Sequence, residues 1–246
     1  MAIKKEKGFV LNLYPYKETS SIVVLLTEKE GIKRGIAKGI GRKKSKTKDL
    51  LCQFSEVEVQ FYEGERGQLV NFTEAEILNS PLSQIIESPC PFILSYFAEV
   101  LLEVVPEGQP NEKIYKLTKH IIEGFSKGVP WQNLKVYFDY WILKLNGIFP
   151  QRFLCKCQRE AIFFDEKSKD FYCEVHRKGG IKFPENFYEF LEILKKKEVS
   201  SIPNFNEKKE TYKFSNLIFH NLLLNFLQKE IKSYNFLKTC DKLLML

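Results

Sequence analysis

The chain has 246 residues, 44% of them hydrophobic and 14% aromatic, which excludes a globally disordered protein and allows one or two domains with real cores. Its formal charge is +7, and residues 33–48 hold eight basic side chains and no acidic one, while outside them 30 basic residues face 31 acidic ones. The excess is concentrated for a partner rather than spread for solubility, and no run approaches the roughly 20 apolar residues of a membrane span.

Residues 8–80 read as β. GFVLNLYPY, SSIVVLLTE, GIKRGIAKG, CQFSEVEVQFYEG and GQLVNFTEAEIL are short runs rich in Val, Ile, Phe and Tyr, punctuated by glycines or charge. EVEVQFYEG alternates strictly, with Val57, Val59 and Phe61 on one face and Glu58, Gln60 and Tyr62 on the other. Five strands with no helix between the first four predict a small closed barrel, the five-stranded OB-fold, a common single-strand nucleic-acid module.

After Ser80–Pro81 the period becomes helical. Residues 82–104 are one apolar stretch interrupted by Pro89 and Pro91. Asn111 is placed to cap a helix with the face Ile114, Leu117, Ile121, Ile122 and Phe125. A further helix is expected over 131–146, ended by Gly147, and two more over 185–198 and 209–232. The fold class is therefore α+β and multidomain: a barrel over 1–80, then a helical domain over 81–246 with a cysteine-containing insertion at about 150–183.

The segment GIAKGIGRKKSKTK (35–48) joins two expected strands of the barrel. Its glycines allow close backbone approach, and Ser45 and Thr47 add hydroxyl donors among the bases. Phosphate contacts need flexible cations beside backbone donors. Lys33, Arg34, Lys38, Arg42, Lys43, Lys44, Lys46 and Lys48 are the candidate nucleic-acid contacts. The spacing is not that of a P-loop. Tyr14, Tyr16, Phe54, Phe61, Tyr62 and Phe72 lie nearby as bases' stacking partners or as barrel core.

Cys155, Cys157, Cys173 and His176 form C-x-C and C-x-x-H, with fifteen residues between Cys157 and Cys173. Thiolates and an imidazole suit tetrahedral Zn²⁺, and four protein ligands make a structural site. Cys52, Cys90 and Cys240 lie in apolar patterns and read as small core residues. His120 and His220 read as surface or packing residues. No nucleophile motif or carboxylate cluster stands out, so no catalytic site is expected. Lys113, Lys116 and Lys119 recur along one helix and read as a solvated face. MAIKKEKG lacks the apolar region of a signal peptide, so a cytoplasmic chain is expected, and six cysteines there do not imply disulfides.

The stretch YKETSSIVVLLTEKEGIKRGIAKGIGRKKSK (16–46) resembles the N-terminal signature of the bacterial DNA repair and recombination family RecO, through Tyr16, Glu18, Leu25-Leu26-Thr27, Gly31, Ala37-Lys38-Gly39 and the basic run from Arg42. VVPEGQPNEKIYKL (104–117), LNGIFP (145–150) and EIKSYNFLK (230–238) extend the likeness in order along the chain. The resemblance implies an OB-fold, a helical domain and a zinc-finger-like insertion. Where the family's usual insertion has two C-x-x-C pairs, this chain has C-x-C and C-x-x-H. The resemblance also implies a non-enzymatic, nucleoid-associated mediator. Such a protein binds single- and double-stranded DNA, anneals complementary strands, contacts SSB and RecR, and helps load RecA onto SSB-coated DNA. An RNA-binding or translation-associated OB protein is the alternative.

Overall fold

A computed structural model describes residues 3–18, 20–38, 52–62, 69–177 and 179–243. Five strands, β1 (Ile3–Tyr16), β2 (Ser20–Thr27), β3 (Gly31–Lys38), β4 (Glu56–Tyr62) and β5 (Val70–Asn79), close a barrel in the order β1-β2-β3-β5-β4. All neighbours are antiparallel except β3 and β5, which run parallel through Gly35↔Val70, Ile36↔Asn71 and Ala37↔Phe72. This is the expected OB barrel. Its interior holds Val10, Val23, Leu25, Ala37, Val57, Val59, Phe61, Val70 and Phe72. The alternation read from β4 is observed: Val57, Val59 and Phe61 point in, Glu58, Gln60 and Tyr62 out.

β1 starts at Ile3, five residues before the apolar run that marks it in the sequence. Residues 3–9 pair with β4 and residues 8–16 with β2, and a bulge between Val10 and Asn12 interrupts the second pairing. Residues 53–55 fill that bulge, with Phe54 N–H donating to Val10 O and Val10 N–H to Ser55 O. The early part escapes a hydrophobic reading because Lys5 and Lys7 point to solvent, where Lys5 pairs with Glu58 at 2.5 Å.

The helices are α1 (Leu82–Glu87), α2 (Phe92–Val104), α3 (Glu112–Ser126), α4 (Trp131–Leu145), α5 (Phe187–Lys196), α6 (Lys209–Leu227) and α7 (Tyr234–Leu243). Asn111 caps α3 as expected, its Oδ1 accepting from Ile114 N–H at 3.1 Å. The helix expected over 209–232 ends early, at Leu227, where Gln228 takes a left-handed turn at φ 53°, and a separate helix, α7, begins beyond that range at Tyr234. The carboxylate of Glu99, on α2, satisfies the approach to α7, accepting from Lys232 N–H and Ser233 N–H at 2.8 Å each and from Ser233 Oγ at 2.5 Å. Lys113, Lys116 and Lys119 are exposed on α3, and Lys116 pairs with Glu112.

The chain divides into two compact units, residues 1–128 with 231–246, and residues 129–230. The change of element type at residue 80 thus lies inside the first unit, which joins the barrel to α1–α3 and α7. The second unit holds α4–α6 and a three-stranded sheet of β6 (Phe163–Asp165), β7 (Asp170–Tyr172) and β8 (Ile181–Lys182), in the order β7-β6-β8. No helix among the described residues is long and apolar enough to cross a membrane.

Candidate nucleic-acid interface and metal centre

Strand pairing assigns the outer face of β1-β2-β3 row by row. Tyr16, Ser20 and Lys38 share one row, Tyr14, Ile22 and Ile36 the next, then Asn12, Val24 and Arg34, and last Phe9, Leu26 and Ile32. Asn71 of β5 extends the second row beyond Ile36. The last two rows are covered along β2 and at Ile32, while Asn12 and Arg34 at the ends of the third row stay accessible. Val24, Leu26 and Ile32 are 1–2% exposed, and the Phe9 ring lies 5.3 Å from that of Tyr115 on α3. The first two rows are open: Tyr14 is 47% exposed, Lys38 and Asn71 are exposed, and Ile22 and Ile36 are half-buried. An exposed ring, two branched aliphatic side chains and a terminal lysine make a flat apolar surface edged by positive charge. Bases stack on such a surface while phosphates meet the cations. Tyr14 is held in place by Asn12, whose Nδ2 donates to its Oη at 2.7 Å.

The opposite side of the barrel has the other charge. Outward positions of β4 and β5 pair Glu58 with Glu76 and Gln60 with Glu74. Lys5 of β1 meets the Glu58 carboxylate on the same face.

The predicted basic contacts separate on this frame. Arg42, Lys43, Lys44, Lys46 and Lys48 lie outside the described residues. Lys38 ends β3 on the open face, directly before that segment. Arg34 stands at the border of the covered rows and pairs with Glu107. Lys33 is 14% exposed; its Nζ lies 2.6 Å from Glu30 and 4.9 Å above the Phe61 ring. The same carboxylate receives Lys4 at 2.5 Å. Burial pushes the Glu30 carboxyl up, but hydrogen bonds from Lys33 and Lys4 outweigh it and hold it below the usual range. Of the aromatic candidates, Phe54, Phe61 and Phe72 are core, Tyr14 and Tyr62 are exposed, and Tyr16 is half-buried. Sequence reading missed Ile22, Ile36 and Asn71. SSIVVLL is continuously apolar, so only pairing reveals which of its residues face out.

The four metal-ligand candidates converge in the second unit. Cys155, Cys157, Cys173 and His176 place their donor atoms within 4.8 Å of one another. Phe153 anchors the segment among the rings of Phe149, Phe171, Phe183 and Phe187. Two turns then aim the ligands. Gln158 N–H donates to Cys155 O at 2.8 Å, with Gln158 at φ 67°, and His176 N–H donates to Cys173 O at 3.2 Å. The sulfurs of Cys157 and Cys173 are 3.7 Å apart; His176 Nδ1 is 3.5 Å from Cys173 Sγ and 3.8 Å from Cys155 Sγ. A tetrahedral ion with Zn–S of about 2.3 Å and Zn–N of about 2.0 Å requires S···S near roughly 3.75 Å and S···N near roughly 3.55 Å. The donor set and these three edges fit zinc.

The turns also prepare the charge. Backbone N–H groups of Cys157 and Cys173 point at the Cys155 sulfur and bring its thiol down to about 6. Burial raises the Cys173 thiol, yet the His176 N–H and the imidazole leave it lowered overall. The neighbouring Cys173 and Cys155 sulfurs raise the His176 imidazole. At Cys157 the Arg159 N–H favours the thiolate, but burial and the adjacent sulfurs raise it overall. With zinc bound, these four residues would form a closed, structural centre without an open coordination position.

A family model described as the N-terminal domain of recombination protein O matches residues 1–81, and one described as its C-terminal domain matches residues 92–233. Among curated proteins, a DNA repair protein RecO from Clostridium novyi is 28% identical over 98% of this chain and 97% of its own length. One from Koribacter versatilis is 29% identical over 62% of each chain, and one from Listeria innocua is 23% identical over 98% of this chain and 96% of its own.

Proposed function

The chain belongs to the recombination protein O family, and on that footing we propose that it acts in DNA repair as a non-enzymatic recombination mediator. In this reading it grips single- and double-stranded DNA without reading bases, anneals complementary strands and, with RecR, helps load RecA onto SSB-coated DNA. The observation that supports it is the open Tyr14–Ile22–Ile36 row, bordered by Lys38 and leading into the basic segment 39–48. Apolar and aromatic groups accept any base, and cations track any backbone. A protein acting at any gap or break needs that indifference to sequence. Zinc at Cys155, Cys157, Cys173 and His176 would hold the second unit's small sheet in shape.

The test is single-stranded DNA binding against salt, for the wild type and a variant with Arg42, Lys43, Lys44, Lys46 and Lys48 changed to Ala. If about four of these meet phosphate, the log–log slope becomes shallower by roughly 3, from about 0.7 per phosphate. An unchanged slope and affinity would remove the segment from the DNA path. Tighter binding to RNA than to DNA of equal length would favour an RNA-directed protein instead.

A further inference from the structure

The segment after α2 is laid along β3. β5 pairs with β3 only at Gly35–Ala37, so the strand's first half is open on that side to another stretch of chain. Residues 106–108 take the place: Gly108 N–H donates to Ile32 O at 3.3 Å, and Glu107 bridges both Gly31 and Ile32. The approach is very close. A Cβ on Gly31 would stand 2.2 Å from Gln109 O and 2.9 Å from Pro106 O. This fixed seat delivers the Glu107 carboxylate to Arg34, the cation that borders the open rows of the barrel face. Arg34 is 43% exposed at its side chain, so solvent and a polyanion both reach it.

We infer that Glu107 is an affinity-setting residue that occupies Arg34 in the free protein and must yield it to a nucleic-acid phosphate. The inference rests on the DNA-binding reading above. A phosphate competes directly, because guanidinium binds carboxylate and phosphate with the same fork of donors. Both ions are partly exposed, so exchanging one partner for the other is easily reversed. Glu107 thereby lowers affinity for any strand and does so uniformly across sequences. A protein that must release DNA after helping it pair is served by a built-in competitor.

Equilibrium binding of a fluorescent oligothymidylate, titrated against NaCl, tests this with four proteins: wild type, Glu107→Gln, Arg34→Ala and the double variant. The Glu107→Gln change retains a polar side chain of the same length, and the main-chain bonds at Gly108 are untouched. It is expected to tighten binding roughly three- to tenfold at low salt, the scale of one charge-assisted contact at a screened surface. Its salt slope is expected to steepen by about 0.7, one phosphate. In the Arg34→Ala background the same change is expected to do nothing. A wild type that binds with an unresponsive Glu107→Gln overturns this inference alone. An equal gain with and without Arg34 also overturns it, since Glu107 would then act only as a distant charge. A wild type that does not bind the oligonucleotide overturns the DNA-binding reading and this inference together.

Discussion

The ring of Phe72 lies against the bare Cα of Gly35: a Cβ there would stand 2.3 Å from Cε2 of the ring. The two residues belong to the parallel pair β3 and β5 that closes the barrel. Gly35 is flanked by Arg34 and Ile36, so its inward contact sets the height of two outward side chains. Gly35→Ala is expected to destabilise the protein by about 1–3 kcal/mol through overpacking. Thermal or urea unfolding checks this, and Phe72→Leu in the same chain should recover part of the loss.

Glu30 gives the barrel a defined acid limit. Its carboxyl lies below the ordinary value of 4.5 in the fold, because the Lys33 and Lys4 ammonium groups overcome its burial. A depressed acid adds stability that is complete above the ordinary value and lost as pH falls through the folded one. Glu30→Gln is therefore expected to cost about 1 kcal/mol at neutral pH and progressively less below about pH 4.5. Unfolding curves of both proteins from about pH 7 down to about pH 3 should converge.

In the second unit, Lys135 and Asp139 form an ion pair one helical turn apart on α4, Nζ to Oδ2 2.6 Å, with the carboxylate fully buried. Asn216 of α6 accepts from the same ammonium at 3.2 Å. Asp139→Ala is expected to cost about 3–5 kcal/mol, as one charge of a buried pair loses its counter-charge. The apolar pair Lys135→Met with Asp139→Leu should be far milder. A double variant as unstable as Asp139→Ala would show that the pair's charge is not the source of the loss.

The cluster of Cys155, Cys157, Cys173 and His176 is expected to bind one zinc ion per chain. Removal with a strong chelator at neutral pH should lower the unfolding temperature of residues 129–230. Cys173→Ser should abolish stoichiometric zinc in metal analysis of the purified protein. Cobalt in place of zinc should give the intense visible bands of tetrahedral sulfur coordination. Equal thermal stability of metal-loaded and chelated protein would deny the site a structural role.

Much of this was legible from period alone. β4 shows its inward and outward faces directly, because Val57, Val59 and Phe61 alternate with polar neighbours. The ligand set was legible from spacing, since two short turns suffice to aim two pairs of side chains. Other features depend on distant pairing. Tyr14, Ile22 and Ile36 come from three strands, and nothing within any one strand says that they share an open row. Glu107 lies far beyond Arg34 in the chain and meets it only because β5 leaves half of β3 unpaired. The stop at Leu227 was hidden because KEIKSYN carries no glycine or proline, and the left-handed turn falls on Gln228.

The hydrogen bonds from Ser233 to Glu99 also order the protein's birth. They join residues 134 positions apart, and everything between them, including the whole second unit, leaves the ribosome first. At about 5–20 residues per second, Glu99 waits roughly 7–27 s for these donors. During that interval α2 has one flank uncovered. The second unit, continuous in sequence, can fold while the first still lacks its last helix, so the part of the chain made first is the part finished last.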